Sequence, residues 1–229
     1  MSVITARGKE AKESANQKGA NIDYKKVYIR LKDGESVRVR LLTHEDYVEY
    51  KAHGSYGLGI WTQPCLEPTG KRCALCEAAK TQYNDDFKNL YARKRYLFAM
   101  ADIDTGELRV FDATKGQATG LIDTIEQYAE DLNEFAFTFK RIGNKTETSY
   151  ILNLIPKLKA DDKQKFAAFE NVVVDDNFFD SVLFERTWEQ QIENLVEAGF
   201  PVETLGTAPS AIAEEITPVQ TIENPDSVF

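Results

Sequence analysis

The sequence predicts a mostly β chain of the α+β class: a small Greek-key barrel carrying added helices, an inserted cysteine-bearing subdomain and a disordered acidic C-terminal tail. Three observations carry that expectation. Period-two apolar alternation recurs on either side of Asp-Gly, Asp-Thr-Gly and Gly-Asn turns, which marks hairpins. All three cysteines fall between positions 65 and 76. Charge is divided unevenly, with 13 acidic residues against the single cation Arg186 from Glu170 to Phe229, inside an overall net charge of -9.

Residues 1–22 are polar, with Arg7, Lys9, Lys12 and Lys18 among small residues, and are expected to form a flexible basic arm. The barrel is expected over 23–160. In VYIRLKDGESVRVRLL, Val27, Ile29 and Leu31 alternate with polar residues, as do Val37, Val39 and Leu41 beyond Asp33-Gly34, which predicts a first hairpin. Its outer face would carry Tyr28, Arg30, Arg38 and Arg40. Residues 43–62 continue as a strand with Tyr47, Tyr50, Tyr56 and Trp61, interrupted by Gly54, Gly57 and Gly59. A helix is expected from Cys73 to about Asn89, and a second hairpin over 92–113 turning at Asp104-Thr105-Gly106. Thr119 to Leu132 has helical spacing. A third hairpin follows, its first arm bearing Phe135, Phe137 and Phe139 as a core stripe and its turn near Gly143-Asn144. About five strands with an interposed helix suit the OB type of barrel. Residues 161–200 form a helical acidic extension, with helices at Ala160–Phe169 and Thr187–Ala198. From Pro201 to Phe229 the composition is too polar and aperiodic to order itself.

The insertion, at about 53–90, carries the chemistry. Cys73-Ala-Leu-Cys76 is a C-x-x-C step that lets two thiolates grip one ion, Cys65 lies eight positions upstream, and His53 twelve before that. Three thiolates and an imidazole suit one zinc ion, and a closed four-ligand shell implies a structural role. An isolated redox C-x-x-C is the competing reading, but it wants a βαβ setting that this region lacks. His44 is the competing fourth ligand, beside Glu45 and Asp46 in an ordinary surface setting. Residues 54–80 are rich in Gly and Pro, so their order would come largely from the metal.

Rings and cations interleave along the chain, the two ingredients that hold unpaired nucleic acid through stacking and phosphate neutralisation. They are Tyr28, Arg30, Arg38, Arg40, Tyr47, Tyr50, Lys51, Tyr56, Trp61, Lys71, Arg72, Tyr91, Arg93, Lys94, Arg95, Tyr96, Lys140 and Arg141. Any one tyrosine also suits the barrel core, and any one cation a solvated face. An enzyme is disfavoured. A zinc deaminase needs H-x-E, whereas Gly54 and Ser55 follow His53, and no P-loop or nucleophile elbow is present. A zinc-stabilised protein-interaction module for transcription or assembly is the alternative. No run approaches the roughly 18 apolar residues of a membrane span, and MSVITARGKEAKES has no apolar centre, so a soluble, cytoplasmic chain is expected.

The order His53, Cys65, Cys73, Cys76, followed by YARKRYLFAMADIDTGELRVF, resembles the helix-destabilising single-stranded DNA-binding proteins of T-even bacteriophages. The resemblance spans roughly 20–160 and is most specific over 53–111. It implies an OB fold with a zinc subdomain using these four ligands, residues around Arg93–Tyr96 facing DNA, and a protein that coats single-stranded DNA in replication, recombination and repair within a host cell cytoplasm. It also implies self-association on DNA through the N-terminal arm, although that arm lacks the family's compact Lys-Arg-Ser-Thr element. The end of the chain, Asp226-Ser227-Val228-Phe229, is similar instead to the phenylalanine-terminated acidic tails of bacterial and other phage single-strand binders. Asp226 and Phe229 would then dock replication and recombination partners, or the tail would fold over the DNA groove and compete with DNA.

Overall fold

The computed structural model describes residues 23–206. The expected basic arm at 1–22 and the chain beyond residue 206 lie outside the described residues.

Among the described residues seven strands, where about five are expected from the alternation, form one antiparallel sheet: β1 (Ser36–Arg40), β2 (Tyr47–Ser55), β3 (Ile60–Pro64), β4 (Arg93–Asp102), β5 (Glu107–Thr114), β6 (Ala136–Ile142) and β7 (Ser149–Ile155). β4 is the spine. One of its edges pairs with β5 from Arg95 opposite Thr114 to Asp102 opposite Glu107. The other edge is shared, β2 taking Arg93 to Phe98 and β1 taking Ala101 and Asp102. β1 hands the sheet on to β6, and β6 to β7, so the sheet curls into an antiparallel half-barrel. β4 is buried on both faces from Leu97 onward, which explains why LFAMA reads as a continuous apolar run.

The second and third hairpins form as expected. At the tip of β4–β5, Asp102 Oδ1 accepts the Asp104 and Thr105 amides and its Oδ2 pairs with Arg109 at 2.8 Å, while Gly106 takes the left-handed conformation at φ 77°. The first hairpin does not form. Asp23 caps a short helix, α1 (Tyr24–Val27), after which Tyr28 bridges Val110 in parallel and the Ile29 amide donates to Val110 O at 2.8 Å. The physical reason is edge occupancy: β1 is paired by β6 on one side and by β4 on the other, so 27–31 has no strand edge of β1 to join.

The expected helix over 73–89 is two, α2 (Ala74–Thr81) and α3 (Asp85–Lys88). Gln82 turns left-handed at φ 53°, and the Asn84 side chain caps a new start by accepting the Phe87 amide. α4 (Lys115–Gln127) begins and ends earlier than its apolar spacing suggests, because Thr114 and Gln117 form a capping box directly off β5. It fills the half-barrel: Ala118, Leu121 and Ile125 pack with Phe98, Phe111, Phe137 and Phe139.

The acidic extension is integral to the fold. α5 (Ala160–Ala167) closes one end of the barrel through Phe166, and α6 (Asp176–Val182), which the sequence reading lacks, lays Phe179 and Val182 on the outer face of β4. α7 (Trp188–Glu197), bounded by its own Thr187–Gln190 capping box, packs on the cysteine-bearing flap. Residues 200–205, the last of which fall within the expected disordered tail, are ordered, with Phe200 and Leu205 buried there because the flap's small residues leave an apolar face to cover.

Candidate metal centre and the cleft beside it

β2 delivers His53 at its far end, the β2–β3 hairpin returns the chain to Cys65, and a short loop brings Cys73 and Cys76 to the start of α2. The four residues are all buried, His53 and Cys73 to 1% exposure, and their donor atoms lie within 4.8 Å of one another. His53 Nε2 stands 3.3 Å from Cys73 Sγ and 3.4 Å from Cys76 Sγ, and Cys65 Sγ is 3.4 Å from Cys76 Sγ. Bonds of about 2.3 Å to sulfur and 2.0–2.1 Å to nitrogen would space tetrahedral ligands about 3.6–3.8 Å apart, so the cage is the size of one ion. Separations of 3.4 Å are far from a disulfide, and all three cysteines are free.

The surroundings orient the ligands. His53 Nδ1 lies 2.7 Å from Leu90 O, and a carbonyl can only accept, so the proton sits on Nδ1 and the Nε2 lone pair points among the sulfurs. The thiols are unlike one another: a hydrogen bond from Cys76 is the main reason the Cys73 thiol is held down to about 3, and the same bond with burial pushes Cys76 up. Three thiolates packed this closely would repel one another unless a cation lay between them. His44 is exposed on the loop before β2, away from the cluster, with Glu45 as its neighbour.

The Cys73–Cys76 turn is braced from a distance. Gln191 on α7, fully buried, accepts the Ala74 amide through Oε1 at 2.8 Å, satisfying a donor at the first turn of α2. Gln63 Nε2 on β3 donates to Asn194 Oδ1 at 3.1 Å, and Arg72 stacks over the Trp188 ring at 4.2 Å while pairing with Glu77. Neither Gln191 nor Asn194 stands out among metal-binding residue types. Gln191 shares the apolar stripe of Trp188, Ile192 and Leu195, and a glutamine on such a stripe is the signal that marks a buried acceptor.

A cleft of about 540 Å³ opens between the β2–β3 hairpin, the start of β4 and the N-terminus of α4, lined among others by His53, Gly54, Thr62, Arg93, Lys94, Arg95 and Lys115. Exposed rings lie on the segments that border it: Tyr56 at the hairpin tip is 98% exposed, Trp61, next to the lining residue Thr62, 76%, and Tyr91, with Arg93 over its ring at 5.0 Å, 54%. Lys51 is exposed on β2, directly opposite Lys94. The sequence reading does not include Thr62, Lys115 or the α4 N-terminus in this site. The Thr114-x-x-Gln117 capping box is the pattern that marks the helix start there.

Two of the cations lining the cleft are already paired, Lys94 with Glu49 and Arg95 with Asp112, and most of the remaining ring and cation candidates do not gather there. Arg40 is buried, its guanidinium given to Phe166 O and Asn133 and lying over the Phe166 ring. Arg38 is paired with Asp104 and Asp162. Tyr28 is half-buried and donates to Val182 O at 2.9 Å, with Arg30 exposed beside it. Tyr47 packs on Phe98, and Tyr50, with Arg95 and Asp112, faces the outer core. Lys94 and Tyr96 share Glu49, Lys71 pairs with Glu185, and Arg141 holds Leu31 O. Lys140 is half-buried on β6, at the far side of the sheet. Asp226 and Phe229 lie outside the described residues. No described helix is long and apolar enough to cross a membrane.

Family models, curated proteins and solved structures were each compared with this chain, and none of the three comparisons returned a match.

Proposed function

We propose that this protein binds single-stranded DNA, largely without regard to sequence, along the cleft between the flap and the half-barrel, and that the flap is held by one structural zinc ion. The observation that carries the reading is the coincidence of unburied rings and cations at one place. Tyr56, Trp61 and Tyr91 are exposed on the segments bordering a cleft lined by Arg93, Lys115 and the acid-paired Lys94 and Arg95. Large apolar rings left in water on a monomer are costly unless something covers them, and a base is a flat, sequence-tolerant cover worth roughly 1–3 kcal/mol per stacked ring. Cations beside the rings, with two amides of the α4 N-terminus, suit the phosphates between bases.

Zinc is the ion of choice for three thiolates and an imidazole in a tetrahedral cage. A shell completed by four protein ligands leaves no open position for substrate, which supports a non-enzymatic role. The curled antiparallel sheet plugged by α4 is compatible with an OB-type barrel, and coating of single strands in replication, recombination and repair, with partner recruitment by the tail around Asp226 and Phe229, belongs to the same proposal.

The test is a titration of labelled oligo(dT) followed by anisotropy at low and high salt, with the metal content of the pure protein measured alongside. Tight binding that falls linearly on a log–log salt plot is expected, as released counterions require. Trp61→Ala should weaken it about fivefold to a hundredfold, the loss of one stacked base. Absence of binding in dilute buffer rejects the reading and leaves the zinc-stabilised protein-interaction module.

A further inference from the structure

The flap is closed by a segment more than a hundred residues away in sequence. α7 and residues 200–205 contribute Leu195, Phe200 and Leu205 to the same apolar cluster as the three cysteines, with Trp188, Ile192 and Val202 packed around it. The polar contacts run the same way. Gln191 takes the Ala74 amide, Asn194 takes Gln63, Trp188 lies under Arg72, and Lys71 meets Glu185. Among the described residues no part of α7 belongs to any of the three apolar clusters of the half-barrel.

Small residues make up much of the flap's own core where the segment docks. Ala74, Ala78, Ala79 and the three cysteines stand among its buried members beside the larger Ile60, Leu66, Leu75, Phe87 and Leu90. Small residues let α7 approach the C-x-x-C turn closely, but they bury little apolar area. The ion and the latch therefore depend on each other: the metal fixes the turn against which α7 packs, and α7 fixes the Ala74 amide and excludes water from the thiolates.

Resting on the zinc reading above, we propose that residues 188–206 are a latch of the metal site, with Gln191 as its positioning residue, so that metal occupancy decides whether the C-terminal portion of the chain is docked on the flap or released. Gln191 acts through the amide at the turn and touches no ligand sulfur. Its side chain is oriented by chemistry, because an N–H can be met only by Oε1. Releasing the latch would free a continuous segment from Trp188 to Phe229 that carries eight carboxylate side chains and no cation, changing the charge displayed beside the cleft without touching the half-barrel.

The experiment uses the full-length chain as purified. Metal stoichiometry comes first, then hydrogen exchange with and without a zinc chelator. Residues 188–206 are expected to lose protection together with 65–90 when the ion leaves, while β4 to β7 keep theirs. In parallel, transfer of zinc to a chromogenic chelator is expected to be about tenfold faster in Gln191→Leu than in the parent, in line with the loss of other ligand-supporting contacts. Unchanged protection of 188–206 in the stripped protein overturns the latch. So does stripping that unprotects every strand alike, or parental zinc transfer by a folded variant. A protein that purifies without stoichiometric metal rejects the zinc reading itself, and the latch falls with it. The exchange measurement on the parent chain decides the matter even where Gln191→Leu fails to fold.

Discussion

The half-barrel and the flap are two answers to the same problem of making a core. The half-barrel fills its interior with large side chains, Phe98, Met100, Leu121, Phe137 and Phe139 all fully buried, and locks rings edge to face, as between Phe111 and Phe139 at 4.8 Å. The flap mixes alanines and thiols with Ile60, Leu66, Leu75, Phe87 and Leu90, and the buried His53 stands among the thiols. The first core is made by removing apolar area from water, roughly 25 cal/mol per Å², and needs nothing else. The second is richer in small residues, and on the proposed zinc reading coordination adds folding free energy to it directly. Stability and exposed chemistry thus sit in different halves: the flap bears Tyr56 and Trp61, while the half-barrel gives them a fixed base.

The sharpest way to break that comparison is to remove one ligand. Cys76→Ser should abolish tight metal binding and unfold the flap, seen as loss of exchange protection over 53–90, while far-UV circular dichroism and the protection of β4 to β7 stay close to the parent. Phe137→Ala should do the reverse. Its ring is fully buried and packs on Tyr128 at 5.5 Å, so truncation should cost about 3–5 kcal/mol in denaturant unfolding. That cost should be the same with and without chelator. Equal sensitivity of both variants to chelator would mean one core, not two.

A second comparison concerns where the chain stops contributing to the flap. Deleting 207–229 removes Glu214, Glu215, Glu223 and Asp226 and no described contact, so unfolding should be unchanged, while DNA binding at low salt should tighten if the tail competes for the cleft. Deleting 201–229 also removes the buried Leu205 and its neighbour Val202, and should cost the flap about 2–3 kcal/mol. The difference between the two truncations, read by chelator-sensitive unfolding, isolates packing from charge. Equal melting of both would show that the residues after Phe200 contribute nothing to the flap.

What was legible in the sequence follows from range. The candidate metal ligands are legible because coordination demands particular residue types, and three of the four lie within twelve positions. The β4–β5 and β6–β7 hairpins are legible because turn chemistry and alternation are local. Arg38 and Arg40 illustrate the opposite. On β1 they alternate with valines like residues of a solvated face, yet α5 arrives from some 124–126 residues downstream, bringing Asp162 to Arg38 and the Phe166 carbonyl to Arg40. Period two tells which face a residue occupies, and not what will cover that face. The missing first hairpin has the same cause, since nothing in residues 27–41 reveals that β6 will occupy the edge of β1. Gln191 is half legible: its place on the apolar stripe of Trp188, Ile192 and Leu195 marks a buried polar group, but its partner is one backbone amide, which has no sequence signature.

The smallest expected effect tests the half-barrel at the point farthest in character from the metal. Tyr28 donates to Val182 O and so ties α6 to the outer face of β4. Burial, reinforced by Asp112 and Tyr24, pushes its phenol up to about 12 from an ordinary value near 10. The fold therefore favours the neutral phenol. Its contribution is fully present below pH 10 and is lost as pH rises through about 12, because the folded chain then has to accommodate a buried phenolate. Tyr28→Phe removes one hydrogen bond, so it should lower stability by about 1 kcal/mol near neutrality. It should also flatten the decline in melting temperature across that alkaline window, with absorbance at 295 nm reporting phenolate formation in the parent. Because α6 shares no apolar cluster with the flap, both effects should persist in chelator. A Tyr28→Phe variant whose alkaline decline matches the parent's would instead move that pH sensitivity away from the outer core, to Tyr50, whose phenol is likewise pushed up by burial.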